Sequence, residues 1–375
     1  MKIIAFYLPQ YHRIKENDDW WGEGFTEWTN LKKANPLFLG HYQPRIPKNN
    51  YYYDLEKNDV FEWQINLAKQ YGVYGFCFYH YWFNGKMLLE RPVERYLLDS
   101  RLDLPFCISW ANEHWTRAWV SQSNKVLIEQ KYGDVSEWDK HFYYLLPFFR
   151  DSRYITVDKK PLFIIYRPEL IPDLNDMLDR WSALANKEGL AGITFAYQHL
   201  LYFLDKKRDE SRFQYSIEYQ PVYAEYLIEK NRNIFLKSIK RLIARFLERY
   251  LRTDIKSLRL RALILSNYDH TWETILRMKP NSPKKIPGAF VDWDNTPRKG
   301  NKGRVYTGVT PEKFKKYLKE QVIHARDIYK KDMIFIFAWN EWTEGGYLEP
   351  DEKNGTAFLE AIKSVLVETD EFPHY

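Results

Sequence analysis

Short runs of consecutive apolar residues alternate along the chain with longer segments in which apolar residues recur every three or four positions. The short runs are typical of parallel strands covered on both faces, and the longer pattern is typical of helices with one buried face. We predict strands at 3–8, 73–79, 105–111, 161–166, 192–197, 213–219, 286–291 and 333–339. We predict helices at 58–71, 136–149, 173–188, 311–331 and 355–368, and a broken helical stretch at 223–279.

Eight strands that alternate with helices predict an α/β fold. Right-handed crossovers close eight such units into a (β/α)8 TIM barrel, and the strand count disfavours the alternative, an open doubly wound sheet. No linker or low-complexity stretch divides the chain. We therefore expect one catalytic domain over 1–375, with a loop insertion at 9–57 and a basic helical insertion at 223–280.

Polar and aromatic side chains follow one predicted strand after another. In a barrel the carboxyl ends of all strands converge on one face, where the active sites of this fold are built. We expect the substrate to bind there. The expected substrate-binding residues are Tyr7, His12, Trp21, Glu27, Trp28, Tyr79, Trp82, Trp110, Asn112, Glu113, Trp115, Arg167, Asp292, Asp294, Trp339, Asn340 and Tyr347.

The aromatic content narrows the substrate class. Fourteen Trp, 29 Tyr and 23 Phe make up 18% of the chain, about twice the share of an average soluble domain. Many of these rings must fill the core, because aromatic side chains bury large areas. An excess of rings beside Asn, Asp, Glu and His also suits a sugar, whose flat apolar faces stack on rings while its hydroxyls need fixed partners.

Glu341 and Glu344 are the predicted catalytic residues. Breaking a glycosidic bond needs one carboxyl to protonate the leaving oxygen and a second one near the anomeric carbon. Two Glu residues three positions apart, directly after the last strand, can both point into the barrel mouth. The alternative is a pair of solvated carboxylates at a helix start, but the neighbouring Trp339, Trp342 and Gly345-Gly346 are unusual for such a surface.

Two further sets of residues could suggest a metal. Asp292-x-Asp294 matches the D-x-D signature of many nucleotide-sugar transferases, although a three-letter motif often arises by chance. At a strand end, binding of sugar hydroxyls is the interpretation that we favour. His12, His80 and His114 lack the spacing of known metal sites. We expect neither a metal nor another cofactor.

Three other candidates remain open. Glu27 and Trp28 belong to a loop that either folds over the cleft or has a structural role. Arg167 either pairs with an anionic group of the substrate or orients a catalytic Glu.

The net charge of +6 arises in one segment. Residues 230–261 hold 11 Lys and Arg against Glu248 and Asp254, which argues against a general polyanion-binding protein and against a nucleic-acid partner. Within 234–258 we predict an amphipathic helix, which either packs on the barrel with a solvated basic face or docks on an anionic membrane. Its apolar stripe comprises Phe235, Ile239, Leu242, Phe246 and Tyr250.

The sequence contains few features that indicate the cellular location of the protein. The apolar run at the N-terminus is too short for a signal peptide, and no stretch approaches the length of a transmembrane span. Cys77 and Cys107 lie in predicted strands and indicate no disulfide framework. We expect a cytoplasmic protein, peripheral to the inner face of the membrane if residues 230–261 dock there.

A family resemblance then sharpens the function. The chain resembles the WbsX-like family, glycosyltransferase-annotated proteins of bacterial surface-polysaccharide clusters that are related to glycoside hydrolase family 99. The segments that carry the resemblance are FYLPQYH (6–12), WWGEGFTEWTN (20–30), HYQPRIP (41–47), YGVYGFCFYHYWFNGK (71–86), SWANEHWTRAW (109–119), IYRPELIP (165–172), DWDNTPR (292–298) and FAWNEWTEGGYLEPD (337–351).

Family 99 comprises (β/α)8 barrels that are endo-α-mannosidases, and its catalytic loop E-W-H-E-G is similar to EWTEG here. The resemblance implies that Glu341 is the base that takes the proton of the sugar 2-hydroxyl, giving a 1,2-anhydro intermediate and retention. It implies that Glu344 is the acid and base at the leaving group. Thr343 stands where family 99 has His.

Three functions remain open. The first is a retaining enzyme that hydrolyses or transfers the glycosidic bonds of an oligosaccharide or of an O-antigen or capsule type of polysaccharide. The second is a glycosyltransferase of lipopolysaccharide biosynthesis with a nucleotide-sugar or lipid-linked donor, although no Gly-rich phosphate loop follows the first strand. The third is a binding scaffold without catalysis, which the presence of both Glu341 and Glu344 disfavours.

Overall fold

A ring of parallel strands forms the centre of the molecule. The computed structural model of the protein describes residues 1–116, 126–200, 210–230 and 263–375. Each barrel strand pairs with its neighbour in parallel. The strands are β1 (Lys2–Tyr7), β2 (Val73–Phe83), β3 (Phe106–Trp110), β4 (Lys160–Ile165), β5 (Thr194–His199), β6 (Phe213–Glu218), β7 (Lys285–Ile286 and Gly288–Phe290) and β8 (Met333–Phe337).

The ring closes at β7, which consists of two short segments on either side of Pro287. Lys285–Ile286 pairs with β6, and Gly288–Phe290 pairs with β8, which in turn pairs with β1. Proline has no N–H to donate to a ladder, which explains the break. A Cβ at Gly288 would lie 1.8 Å from the carbonyl oxygen of Glu218, so only glycine permits this close approach to β6. The predicted (β/α)8 barrel is confirmed.

Helices surround the barrel, and those with a long apolar stripe are the ones that the sequence predicts. The 58–71 prediction coincides with α3, whereas the four short helices α1, α2, α4 and α8 were not predicted, because four to eight residues carry little periodicity. The helices are α1 (Lys15–Trp21), α2 (Glu27–Lys33), α3 (Asn58–Tyr71), α4 (Arg91–Leu98), α5 (Val135–Phe149), α6 (Leu174–Lys187), α7 (Tyr268–Arg277), α8 (Thr296–Lys299), α9 (Pro311–His324) and α10 (Ala357–Glu368).

The helical prediction at 223–279 is only partly right. Residues 222–230 and α7 are helical, but Ile264–Asn267 is a strand that pairs with Arg304–Thr307. The predicted amphipathic helix and its apolar stripe lie outside the described residues. In the predicted 311–331 helix, α9 ends at His324 and a π-helical turn follows at Ala325–Tyr329.

Aromatic side chains fill the interior of the barrel directly below its mouth. The ring of Phe6 on β1 lies 5.7 Å from Tyr79, 5.3 Å from Tyr219 and 5.6 Å from Phe335, centroid to centroid. Tyr79 and Phe335 come from β2 and β8, which flank β1, whereas Tyr219 follows β6 farther around the ring. Together the rings form a packed floor beneath the mouth. Cys77 and Cys107 are buried, unbridged neighbours on β2 and β3.

Within the described residues, no helix is long and apolar enough to cross a membrane.

Candidate active site

A pocket of about 270 Å³ opens at the carboxyl end of the barrel. Its lining residues belong to β2 or follow β3 to β8, so seven of the eight strands contribute. Glu341 and Glu344 are both among them, as the strand-end argument predicts. The lining residues are Tyr79, Tyr81, Ala111, Glu113, Tyr166, Leu200, Tyr219, Val222, Trp293, Arg298, Glu341 and Glu344.

The loop after β8 turns both Glu side chains toward the pocket. Asn340–Glu341 pairs antiparallel with Gly346–Tyr347, and a 3-10 turn at Trp342–Glu344 connects the two short strands. The chain reverses at Gly345, whose φ of 72° is in the left-handed region that favours glycine. A Cβ there would lie 2.6 Å from the backbone nitrogen of Asp294, so the loop also depends on glycine for its packing.

One guanidinium group joins the two Glu residues. Nη1 of Arg298 donates a hydrogen bond of 2.7 Å to Oε1 of Glu344, and its Nη2 lies 3.6 Å from Oε2 of Glu341. The same Nη2 lies 3.0 Å from Oε2 of Glu27, which also accepts a hydrogen bond from the hydroxyl of Thr343. Arg298 is almost fully buried, whereas the Glu344 side chain is 21% exposed. Three carboxyl groups thus surround one cation.

This arrangement favours a shared proton on the Glu pair. Burial and the charge of Glu344 raise the pKa of Glu341 well above its ordinary value, against the opposing effect of Arg298. Burial also raises the pKa of Glu344, but its hydrogen bond from Arg298 favours the ionised form. Among the described residues, Oε2 of Glu341 has no hydrogen-bond partner. These contacts favour protonation of Glu341 over protonation of Glu344.

Aromatic side chains form the walls of the pocket. The hydroxyls of Tyr79 and Tyr219 are hydrogen-bonded to each other at 3.1 Å above the ring of Phe6. Trp293 stacks on Phe337 with ring centroids 4.8 Å apart and presents its other side to the pocket. Rings at several angles around two carboxyl groups suit a sugar, whose apolar faces and hydroxyls require both kinds of surface.

Glu113 lines another side of the pocket and pairs with Arg167. Arg167 also pairs with Glu169, so its charge is matched within the protein. The amide of Asn112 holds the backbone of Arg167 through two hydrogen bonds of 2.8 Å. The structure therefore gives Arg167 a role in holding Glu113, and Asn112 joins the ends of β3 and β4.

Several predicted binding residues support the loop from inside the protein. Glu349 accepts hydrogen bonds from the indole N–H groups of Trp339 (3.1 Å) and Trp342 (2.6 Å), from Tyr53 (3.0 Å) and from Gln64 (2.7 Å). Burial raises the pKa of Glu349 to about 7 despite these four donors. The hydroxyl of Tyr7 donates to Gln64 at 2.8 Å. Tyr7 and Trp339 are thus buried beneath the site and do not line the pocket.

Three more predicted residues belong to the same support. The Asn340 amide bonds both the N–H (2.8 Å) and the C=O (3.1 Å) of Leu8, which fixes the loop to the end of β1. Trp28 donates its indole N–H to the carbonyl of Tyr53 at 2.7 Å. Tyr347 stacks on Trp342, with ring centroids 3.8 Å apart. None of the three lines the pocket, because each is buried in these contacts.

Asp292 and Asp294 bind the protein itself. Asp294 accepts hydrogen bonds of 2.8 Å from His41 and from Gln43, and Asp292 accepts one of 2.8 Å from Arg45. These contacts tie the loop after β1 to the segment after β7. No group of His, Cys, Asp and Glu in the described ranges is arranged to hold a metal ion.

The structure does not bring Trp82 and Trp110 to the pocket. The His141 ring from α5 stacks on Trp82 at 4.5 Å and meets Trp110 edge-on at 4.7 Å, so both lie between the barrel and α5. Strand side chains alternate in direction, and these two point outward from the barrel. His80 is hydrogen-bonded to His141 in the same layer.

The remaining predicted residues lie in the inserted loop or behind the wall. His12 is fully buried, and burial lowers its pKa to about 4. Trp21 packs near Phe25, with ring centroids 5.9 Å apart. Trp115 lies behind Tyr81, at 5.1 Å. These three do not line the pocket.

Eight lining residues of the pocket were not predicted as site residues, and the positions of the five that are polar or aromatic explain why. Trp293 lies between Asp292 and Asp294, and in an extended segment it faces the opposite side from them, which alternation could have indicated. Arg298 is the last residue of the DWDNTPR segment, and only the fold shows that it reaches the loop after β8. Tyr166 and Tyr219 directly follow β4 and β6, and Tyr81 is near the end of β2.

The whole chain is similar to known proteins. Residues 3–362 match the model of the family described as Glycosyltransferase WbsX. The chain belongs to the WbsX glycosyltransferase family. Membership confirms the predicted resemblance and the prediction of a family of carbohydrate-active enzymes.

Relatives of this WbsX family chain include the protein WxcX of two strains of Xanthomonas campestris pv. campestris. The chain is 36% identical to it over 374 residues, an alignment that covers 97% of the chain and 49% of WxcX. The chain thus spans about half the length of the curated relatives that it matches.

Solved structures share the fold. A glycoside hydrolase-like protein superimposes with a TM-score of 0.57 at 12% identity, covering 100% of this chain and 94% of the other. The GH99 endo-alpha-mannosidase from Bacteroides thetaiotaomicron superimposes with a TM-score of 0.52 at 14% identity, covering 98% of this chain and 97% of the mannosidase. At such identities the likeness concerns the barrel alone.

Proposed function

We propose that this WbsX family chain makes or breaks glycosidic bonds of an oligosaccharide or of a surface polysaccharide of the O-antigen or capsule type. Glu341 and Glu344 are the reacting groups, and configuration at the anomeric carbon is retained. The observation that carries the proposal is the pair of carboxyl groups in one aromatic-walled pocket, joined by Arg298. Glycosidic chemistry requires one proton donor and one carboxylate, and a shared proton supplies both.

The roles within the pair follow the family-99 resemblance. Glu341 takes the proton from the sugar 2-hydroxyl while that oxygen attacks the anomeric carbon, and Glu344 gives a proton to the departing oxygen. In the second step Glu344 takes a proton from water or from an acceptor hydroxyl, which opens the 1,2-anhydro ring, and Glu341 returns its proton to the 2-oxygen. Because the electrostatics favour a proton on Glu341 over one on Glu344, a proton must reach Glu344 before the first step.

A second candidate is a glycosyltransferase with a nucleotide-sugar or lipid-linked donor, and the family description favours it. Transfer to a sugar hydroxyl and hydrolysis differ only in the group that opens the intermediate. The pocket offers no unmatched cation among its described lining residues, since Arg298 already serves three carboxyl groups. Among these described lining residues a pyrophosphate would find no unmatched cation, and this favours the first candidate over a nucleotide donor.

The setting of the reaction is part of the proposal. We infer a single catalytic domain that works in the cytoplasm, with a lipid-linked glycan as substrate and peripheral contact with an anionic membrane. The contact with the membrane is supported by the sequence of residues 230–261, which holds 11 Lys and Arg against two acidic residues. Each basic residue near an anionic surface contributes about 1 kcal/mol of binding free energy, so a few suffice for reversible attachment.

A substrate screen tests the proposal. Defined α-linked oligosaccharides and lipid-linked glycans are incubated with the chain, with and without nucleotide sugars and manganese, and the products are separated by mass. Cleavage or transfer without any nucleotide sugar supports the first candidate, and transfer only with a nucleotide sugar supports the second. The absence of any glycosidic product across the panel would contradict both.

A further inference from the structure

A second concave surface lies on the outer flank of the barrel mouth. We call it the Tyr51–Trp63 groove. Its volume is about 550 Å³, and its walls come from the loop after β1, from α3 and from the segment after β8. The residues that form it include Lys48, Asn49, Tyr51, Asp59, Trp63 and Pro350.

One wall of the groove is held rigidly by hydrogen bonds. The backbone N–H of Lys48 donates to the carbonyl of Pro350 at 3.0 Å, and the N–H of Asn49 donates to the Glu352 carboxylate at 2.6 Å. Asn49 and Asn50 have φ values of 58° and 54°, in the left-handed region that Asn tolerates better than most residues. The groove is therefore preformed, and a ligand loses less free energy in ordering it.

The groove contains a pair of aromatic rings that contact the protein interior on one side and line the groove on the other. The rings of Tyr51 and Trp63 meet edge to face, with centroids 5.1 Å apart. Trp63 also lies 6.1 Å from Tyr53, which belongs to the buried support of the catalytic loop. Both rings are half-buried, and their remaining surface faces the groove. Such a surface matches the apolar face of a sugar ring.

Polar groups around the rings are available to a ligand. Among the described residues, the side chains of Lys48, Asn49 and Asp59 find no hydrogen-bond or ion-pair partner. The same holds for the Tyr51 hydroxyl and the Trp63 indole N–H. One cation and one anion leave the groove without net charge, so it does not select a charged ligand. Donors and acceptors beside open rings suit a neutral ring with many hydroxyls.

We propose that the Tyr51–Trp63 groove binds a neutral sugar unit of a glycan, as a second site apart from the pocket of the Glu pair. The choice of a glycan rests on the proposed function. The two sites are separate, because the buried Tyr53 and Glu349 fill the space between Trp63 and the catalytic loop. A polymer held in the groove stays close to the barrel mouth while another of its units enters the pocket.

Indole N–H signals in a 1H–15N correlation spectrum of the full chain test the proposal. The Glu341→Gln/Glu344→Gln variant is titrated with methyl α-glycosides of mannose, rhamnose, glucose, galactose and N-acetylglucosamine. Loss of a signal in Trp63→Phe assigns Trp63, and the same approach assigns Trp293 in the pocket. We expect at least one glycoside to shift the Trp63 signal saturably.

Variants link that shift to the groove. Tyr51→Ala should weaken the binding seen at Trp63 about tenfold, a change of about 1.4 kcal/mol. Asp59→Asn, a milder change at an exposed position, should weaken it by a smaller factor. Tyr143→Ala, which removes an exposed ring on α5, should leave it unchanged. Unchanged positions of the other indole signals verify the fold of each variant.

The proposal for the groove would be overturned if none of the five glycosides shifted the Trp63 signal, or if only the Trp293 signal shifted. It would also be overturned if the glycoside bound equally well at Trp63 with and without the Tyr51→Ala change. Its failure is distinguishable from failure of the proposed function. If a glycoside binds saturably at Trp63 but the chain forms no glycosidic product, the proposed function is refuted and the proposal for the groove stands. If the chain forms product but no glycoside binds at Trp63, the proposal for the groove is refuted and the proposed function stands.

Discussion

Arg298 is the residue whose removal tests the electrostatics of the site most sharply. Arg298→Met removes the charge and keeps much of the side-chain volume. In the wild-type protein the guanidinium contacts Glu27, Glu341 and Glu344 from a nearly fully buried position. Removing one partner of a buried ion pair typically lowers the free energy of unfolding by about 3–5 kcal/mol, because the remaining charges are left without compensation.

The loss should depend on pH. Burial raises the pKa values of Glu341 and Glu344 above the ordinary value of 4.5, so above that pH the folded state binds more protons than the unfolded state. The contribution of this pair to the free energy of unfolding therefore falls as the pH rises through this window toward the folded pKa values. Without Arg298 these pKa values rise further, and the fall extends to higher pH. The difference between wild type and variant should thus be small near about pH 5 and largest near about pH 8.

Urea unfolding, followed by tryptophan fluorescence at several pH values, measures the difference in the free energy of unfolding between the wild type and Arg298→Met. Arg298→Lys keeps a charge without the forked geometry and should lose less stability than Arg298→Met. Arg277→Met removes an exposed ion pair with Glu273 and should change the unfolding free energy by less than about 1 kcal/mol. A loss below about 1 kcal/mol for Arg298→Met at about pH 8, or a loss that shrinks as the pH rises, would refute the shared-proton account.

Trp110→Ala should lower the free energy of unfolding by about 3–5 kcal/mol, because Trp110 is 2% exposed and packs on His141; denaturant unfolding that shows no loss would return it to a binding role. A 2-deoxy analogue of whichever oligosaccharide reacts should be inert in the same product assay, since it lacks the hydroxyl from which Glu341 takes a proton; turnover of the analogue would exclude the 1,2-anhydro route. Wild-type protein should co-sediment with vesicles containing anionic lipid and dissociate as salt rises, whereas a variant with Lys237, Lys240, Arg241 and Arg245 changed to Glu should not; equal partitioning of the two would exclude docking through residues 230–261.

The barrel could be predicted because its strands are near-continuous apolar runs with few competing interpretations. The runs at 73–79 and 333–339 lie within or overlap β2 and β8, and α3 has the predicted bounds. The split of β7 at Pro287 was not foreseen, because it depends on which neighbour each half pairs with. Short helices such as α2 depend on local capping rather than on a long apolar stripe.

For the candidate site, the sequence predicted the loop after β8 that carries Glu341 and Glu344, but not the contacts that complete the pocket. Position after the last strand placed Glu341 and Glu344 at the mouth, and chemistry suggested their role. Alternation shows that Trp293 faces the opposite side from Asp292 and Asp294, but not which of the two sides faces inward, so the Asp residues were favoured where Trp293 lines the pocket. Nor can the sequence show a contact between residues 46 positions apart, such as Arg298 with Glu344.

Trp82 and Trp110 illustrate a related limit. Both lie at strand ends beside polar residues, which is where a sugar-binding ring is expected. The structure fills the space between β3 and α5 with these rings and His141 instead, since a barrel has an outer layer of core as well as an inner one. An aromatic residue at a strand end is therefore ambiguous until its direction is known.

The most direct test of the account is the initial rate of glycosidic bond making or breaking by the single variants Glu341→Gln and Glu344→Gln. The substrate is the one identified in the screen, and Glu320→Gln, at an exposed position on α9, is the matched control. An amide keeps the shape of the side chain but cannot exchange a proton, so we expect each variant to lose about 100- to 10,000-fold in rate while the control keeps the wild-type rate. A wild-type rate in either Glu341→Gln or Glu344→Gln would contradict the assignment of that residue to the reaction.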